Sequence, residues 1–197
     1  MKSIAVVDKR DPCGMAFKEW AGICQALESG RQSIIIRKGG IAESRGRFVP
    51  EYSRFWLFPT YTHQQEQGLR EPAPAPAGEH AISIQSLAVV EQVWRLESPD
   101  AALALEPFHI WTETTVLSRF QYRTPGLWLL FARLFRLPEP VEIAQRPEFQ
   151  GCHSWVPLPE PISVDGLIPV LSDANHRTTL EAITKTLAAF QPGDSDD

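Results

Sequence analysis

Arg37-Lys38-Gly39-Gly40 sets two cations and two glycines at the exit of an apolar run. Guanidinium and ammonium groups beside free backbone N–H groups make charge-assisted bonds to a phosphate or carboxylate. The stretch is not a P-loop, because GxxxxGK[ST] is absent, and no GxGxxG occurs. The plain alternative is a basic strand end reaching water. His63 and Gln64 follow a second apolar run, with Thr60 and Tyr61 just before them. An imidazole beside hydroxyls can act as a general base near neutral pH, with Lys38 as an electrostatic stabiliser. Lys38 and His63 are therefore the candidate catalytic residues, and Gln64 with Tyr61 can read a base or an amide. Pro107-Phe108-His109-Ile110-Trp111 holds an imidazole between aromatic rings, a pattern more common for a core or stacking histidine than for a catalyst. Cys152-His153-Ser154-Trp155 strings together thiol, imidazole, hydroxyl and indole. Neighbouring strand residues face opposite sides, so Cys152 and His153 are poor direct partners. Ser154 and Trp155 suit a pocket wall better, with Trp155 as a stacking platform. Glu19, Glu43 and Glu113 show no spacing that marks a metal or acid–base pair, and no metal or cofactor is assigned.

Local charge supports an anion-binding face on an acidic protein. The 197-residue chain has net charge -5 and a pI near 5.6, which argues against coating nucleic acid along its whole surface. Residues 31–54 hold six Arg or Lys and two Glu, so six minus two gives +4. Residues 119–136 hold Arg119, Arg123, Arg133 and Arg136 and no acid, again +4. A solvated charged surface is the competing reading.

The elements that must position these groups follow from periodicity. Phe17, Trp20, Ala21, Cys24 and Leu27 predict an amphipathic helix over Met15–Ser29, with Gly30 as a left-handed cap. Gln32–Arg37 reads as a strand covered on both faces, because Ile34, Ile35 and Ile36 are consecutive and β-branched. Arg54–Phe58 is a second strand, stopped by Pro59. Residues 68–79, rich in alternating Pro and Ala, form a semi-rigid spacer. Ala81–Leu96 is one long strand or a hairpin. Pro99–Leu105 is a short helix with Ser98 as N-cap, and Glu113–Phe120 is a second. Leu127–Leu137 is a strand ended by Pro138 and Pro140. Thr178–Phe190 is a C-terminal helix, and residues 191–197 a disordered acidic tail. A short strand is expected at residues 4–7. The whole reads as one domain over residues 1–190 with a mixed α+β sheet, curved and partly closed, helices packed at its ends. Three widely spaced cysteines, no leader-like apolar region and no membrane-length apolar run suggest a cytoplasmic protein that touches no membrane.

Two resemblances rest on these residues. Phe17-Lys18-Glu19-Trp20-Ala21, Arg37-Lys38-Gly39-Gly40-Ile41 and Leu57-Phe58-Pro59-Thr60-Tyr61 with His63-Gln64 resemble blocks of a bacterial family, domain of unknown function 1802. Phe108-His109-Ile110-Trp111 and Gly151-Cys152-His153-Ser154-Trp155 resemble its later blocks. This resemblance implies membership and no activity. Leu27 to Arg37 is also similar to the helix–Gly–strand entry of PUA-like domains, especially the ASCH group. There a Lys-Thr pair follows the Gly and an Arg comes a few residues later. Ser33 matches the hydroxyl and Arg37 the Arg, whereas Gln32 replaces the Lys, which counts against a hydrolase needing that amine. The resemblance implies a PUA-like, partly closed mixed β-barrel with flanking helices, and binding of RNA or modified bases.

The expected function is therefore binding of RNA, DNA or a nucleotide-like ligand in a basic, aromatic cleft. The residues expected to line it are Ser33, Arg37, Lys38, Gly39, Gly40, His63, Gln64, His109, Trp111, Ser154 and Trp155. The alternatives are a nuclease or small amidohydrolase using His63 and Lys38, and a protein-interaction module docking through residues 68–79.

Overall fold

Residues 13–20 are a strand, not the first half of a helix. The computed structural model describes residues 11–38, 52–61, 68–72, 74, 81–151 and 153–190. In it β1 (Cys13–Trp20) runs parallel to β3 (Arg54–Thr60) and antiparallel to β6 (Trp155–Ile162). Only the second half of the expected helix coils, as α1 (Ala21–Glu28). The apolar positions of Met15–Ser29 fit a 3.6-residue period. However, Ala16 and Phe17 are both fully buried and enter cores on opposite sides of the sheet. That is the signature of a central strand, and ladder pairing on both edges outweighs helix propensity there. Gly30 does terminate the helix, with φ +74° and its N–H donating to Leu27 O at 3.1 Å. A Cβ there would be strained by the positive φ and would lie 2.7 Å from Leu171 Cδ2, so that leucine would have to shift as well.

The remaining elements are β2 (Ile34–Arg37), β4 (Ala81–Leu96), α2 (Pro99–Leu103), α3 (Glu113–Gln121), β5 (Leu127–Ala144), β7 (Ile168–Pro169) and α4 (Asp173–Ala188). One seven-stranded sheet forms in the order β2-β5-β4-β3-β1-β6, with β7 on β5. Ser98 caps α2 as expected, its hydroxyl accepting from Asp100 N at 3.2 Å. Several boundaries differ from expectation: β3 continues through Pro59, in register with Glu19 of β1, to Thr60, β2 begins at Ile34, and α2 ends at Leu103. β5 runs through Pro138 and Pro140, because the register with β4 slips between Ile84 and Ser86. Both prolines fall in that irregular stretch, where no ladder donor is needed. α4 starts five residues before Thr178, because the Ser172 hydroxyl accepts from Asn175 N at 3.2 Å and nucleates the first turn.

Period-2 alternation divides the core. Phe55 and Leu57 of β3 join Phe17, Ile34, Ile35, Ile36 and Leu129 in the larger cluster, while Trp56 and Phe58 join Ala16, Ile84 and Val156 in the smaller. Each Leu, Ile, Val or Phe among them contributes about 1.5–3 kcal/mol on leaving water. The sheet is mixed α+β and does not close into a barrel by hydrogen bonds. No described helix is long and apolar enough to cross a membrane.

Candidate functional site

The sheet's two outermost strands, β2 and β6, meet through side chains. Arg37, last residue of β2, donates from Nη2 to Ser154 Oγ at 2.6 Å, just before β6 begins. Its Nη1 lies 3.5 Å from Oε2 of Glu19, near the end of β1. The guanidinium also covers the Phe17 ring, 4.5 Å from its centroid. Arg37 thus stands at a seam in the curled sheet, joining both edges and the strand between. Glu19 shares the inward face of β1 with Phe17, two residues apart. Its side chain is only 2% exposed, against 21% for Arg37. Glu19 Oε1 accepts the Trp20 backbone N–H at 2.9 Å. A buried carboxylate needs this degree of partnering.

A second guanidinium approaches from α3. Arg119 lies over the Trp20 ring at 4.1 Å and near the Trp111 ring at 5.7 Å. Its Nη1 donates to Ile36 O at 3.4 Å. Burial lowers its pKa to about 10; Glu19 opposes that shift and Arg37 adds to it. Arg119 stays cationic at neutral pH. Two fixed cations and one carboxylate give the seam a net positive charge, with aromatic rings on both sides. Thr60, at the end of β3, donates to Glu19 O at 3.3 Å, so the exit of β3 opens on the same place.

The residues expected from sequence divide sharply. Arg37 and Ser154 are at the seam. Lys38 is beside it but occupied: its ammonium donates to Phe120 O at 2.6 Å, to Gly126 O at 3.0 Å and to Thr124 O. Burial, and then Arg95, lower its pKa. An ammonium has three donors, and three carbonyls take them. Trp155 is packed against Phe17, Tyr52 and Phe55 at 4.8–5.1 Å between centroids, so it is an aromatic wall rather than an open platform. His109 and Trp111 are 3% and 1% exposed and sit behind the seam, their rings 5.2 Å apart. Neither ring nitrogen of His109 has a hydrogen-bond partner among the described residues, and burial with Arg70 lowers its pKa to about 4. It is a neutral core imidazole at pH 7. Ser33 is buried at the opposite end of β2. Gly39, Gly40, His63, Gln64 and Cys152 lie outside the described residues, as do residues 4–7 and 191–197.

Gln32 has a structural use. Its Nε2 donates to Ile34 O at 2.7 Å and its Oε1 accepts from Ile110 N at 3.1 Å. The amide both donates and accepts, which an ammonium cannot do. The start of the Pro-rich segment is pinned to the same region: Thr112 N donates to Gly68 O at 2.9 Å, and Arg70 N to Ile110 O at 2.8 Å. Among the described residues the thiols offer no nucleophile: Cys13 and Cys24 are buried, and burial raises the Cys24 pKa well above its usual range.

Sequence reasoning missed Glu19 and Trp20 because it placed them on a helix. The signal that could have found them is the alternation Phe17, Glu19 against Ala16, Lys18, read with period two. Arg119 was visible only as part of an acid-free basic run.

No curated protein matches the sequence. Among solved structures, the chain is similar to the crystal structure of ASCH from Zymomonas mobilis, at 14% identity and TM-score 0.46, over 94% of this chain and 98% of that chain. A mutant of the same protein with phenylalanine in place of a tyrosine is similar at 15% identity and TM-score 0.45, over 85% of this chain and 96% of that one. A family model described as domain of unknown function (DUF1802) matches residues 16–182, which takes in every described residue of the seam, and the chain belongs to that family.

Proposed function

We propose that the seam binds a nucleic acid or nucleotide-like ligand. Arg37 and Arg119 meet phosphate oxygens, the Ser154 hydroxyl faces the ligand's edge, the buried Glu19 orients Arg37, and the Trp20 indole offers a stacking surface. Gly39, Gly40, His63 and Gln64 continue from the strand ends that reach the seam and complete the proposed ligand set. Lys38 holds the neighbouring turn and leaves the set.

The observation that carries this reading is two guanidiniums at one seam: Arg37 is ion-paired to the buried Glu19 carboxylate, and Arg119, bonded to Ile36 O and stacked on Trp20, lies near enough for both charges to shift its pKa. A simple ion pair would need one cation. Each guanidinium has five N–H donors. Among the described residues Arg37 spends donors on Glu19 and Ser154, and Arg119 spends one on Ile36 O. Donors held rigid against aromatic faces, with net positive charge, favour a planar anionic ligand. The test is retention of single-stranded RNA, single-stranded DNA and mononucleotides by the wild type, Arg37→Gln and Arg119→Gln. Each substitution is expected to weaken binding about 10-fold or more, the worth of one charge-assisted bond. A wild type that retains none of the panel, or two variants that bind as it does, overturns the reading.

A further inference from the structure

We infer that the turn joining α3 to β5 is a nucleobase-stacking subsite, so that the ligand is a chain of at least two nucleotides rather than a mononucleotide. This rests on the function proposed above and adds to it a second position on the protein.

Tyr122 and Arg123 form the tip of this turn. Tyr122 is 56% exposed, and the Arg123 guanidinium lies over its ring at 5.1 Å. A lone exposed aromatic is ordinary. The scaffold beneath this one is not. Lys38 donates to the carbonyls of Phe120, Thr124 and Gly126, and Arg95 Nη2 donates to Pro125 O at 3.1 Å. Two cationic side chains therefore spend their donors on four carbonyls of one turn, two of them at the exposed Thr124 and Pro125. Gly126 N closes the turn onto Phe120 O at 3.1 Å. The turn is built to hold one shape.

That shape is costly at its tip. Arg123 has φ +59° and is the one non-glycine with positive φ among the described residues. A side chain there costs about 1–2 kcal/mol relative to the right-handed region. Such a conformation persists where the surroundings over-determine it, and it marks sites where geometry is used. Here it turns a guanidinium back onto an exposed ring. Arg over an aromatic leaves the ring's other face for a base and puts a cation where the next phosphate passes.

The subsite is continuous with the seam. Lys38 follows Arg37 directly, one peptide of about 3.8 Å between Cα atoms, and it holds the turn. Arg119 lies four residues before Arg123 and stacks on Trp20. Residues 119–136 carry no acid to repel a phosphate. A backbone leaving Arg37 and Arg119 meets Arg123 next, with Tyr122 beside it. The described start of the Pro-rich segment is bonded to residues 106–112 instead.

The experiment is calorimetric titration of the full chain with a mononucleotide, then with trinucleotide and hexanucleotide single-stranded RNA. Wild type, Tyr122→Ala and Tyr122→Phe are compared. One stacked base contributes about 1–3 kcal/mol, so the wild type should favour the trimer over the monomer by roughly 10-fold or more. Tyr122→Ala should lose most of that preference with mononucleotide affinity unchanged, and Tyr122→Phe should keep it. The subsite is overturned if the wild type binds monomer and trimer equally, or if Tyr122→Ala binds the trimer as the wild type does. It is equally overturned if Tyr122→Ala loses affinity for both in proportion, which would make the turn a support for the seam. A wild type that binds no RNA or nucleotide at any length defeats the seam reading itself, a different result from the other three.

Discussion

The two ends of β2 use polar side chains in opposite ways. At the entry, Gln32 is 1% exposed and both ends of its amide are bonded to backbone, at Ile34 and Ile110. At the exit, Arg37 is partly exposed and bonds only to side chains, Glu19 and Ser154, across a seam that the backbone leaves open. Lys38, one residue on, behaves like the entry: its donors go to carbonyls. A polar group that saturates backbone neighbours fixes a fold. One held by other side chains, with donors to spare, can be recruited by a ligand. Structural and ligand-facing residues are thereby separated within seven positions of the chain.

The contrast breaks most severely at the closed end. Gln32→Leu leaves a buried C=O and a buried N–H unpaired, each costing about 1–3 kcal/mol. The melting temperature should fall by roughly 10 °C, with ligand affinity of the folded protein little changed, as scanning calorimetry and titration would read. A large loss of affinity at unchanged stability would reverse the assignment of the two ends.

The His109 imidazole belongs to the same closed region. Its folded pKa of about 4 lies below the ordinary value of 6.5. Between those values the unfolded chain binds more protons, so stability is full above pH 6.5 and is lost as pH falls toward 4. The loss is on the order of 3 kcal/mol. Denaturant unfolding at a series of pH values should show this slope in the wild type and a shallower one in His109→Leu. An identical slope in both would mean that His109 is not the group responsible.

At the open end, Arg37→Gln removes the guanidinium and keeps an amide for Ser154. Ligand affinity should drop about 10- to 100-fold, while Ile36 O and the Trp20 ring keep Arg119 in place and the protein still folds. Lys38 should matter least. Lys38→Met frees three carbonyls at the edge of the turn, where water can replace the ammonium. A destabilisation of about 1 kcal/mol is expected, with faster hydrogen exchange confined to residues 120–126. Exchange that stays as slow as in the wild type would remove Lys38 from its role as clamp.

How much of this was legible in the sequence depends on whether an interaction is local. The Ile34–Ile36 run announces a strand covered on both faces, and Gly30 a helix stop; both are settled by neighbours in the chain. Ser98 before Pro99 announces a cap for the same reason. Glu19 was not legible, because its partner Arg37 lies on another element and its own segment carries helical spacing. The same spacing hid β1, whose pairing with β3 and β6 is long-range. Pro138 and Pro140 argue for a strand end, yet the register slip against β4 absorbs them, and nothing local to β5 signals a slip. Lys38 shows the limit from the other side. A lysine beside glycines reads as a phosphate ligand, but the carbonyls that hold it come from more than 80 residues further on.

Whether the Arg37–Glu19–Arg119 seam holds an anionic, nucleotide-like ligand is decided by the salt dependence of single-stranded RNA binding in the wild type and Arg37→Gln. Phosphate contacts make the logarithm of affinity fall linearly with the logarithm of salt concentration, by about 0.7 per contact on a single strand. A seam that holds phosphate gives a linear fall for the wild type, and for Arg37→Gln a lower line whose slope is shallower by roughly 0.7. Superimposed lines for the two proteins, or a wild type that does not bind, would contradict it.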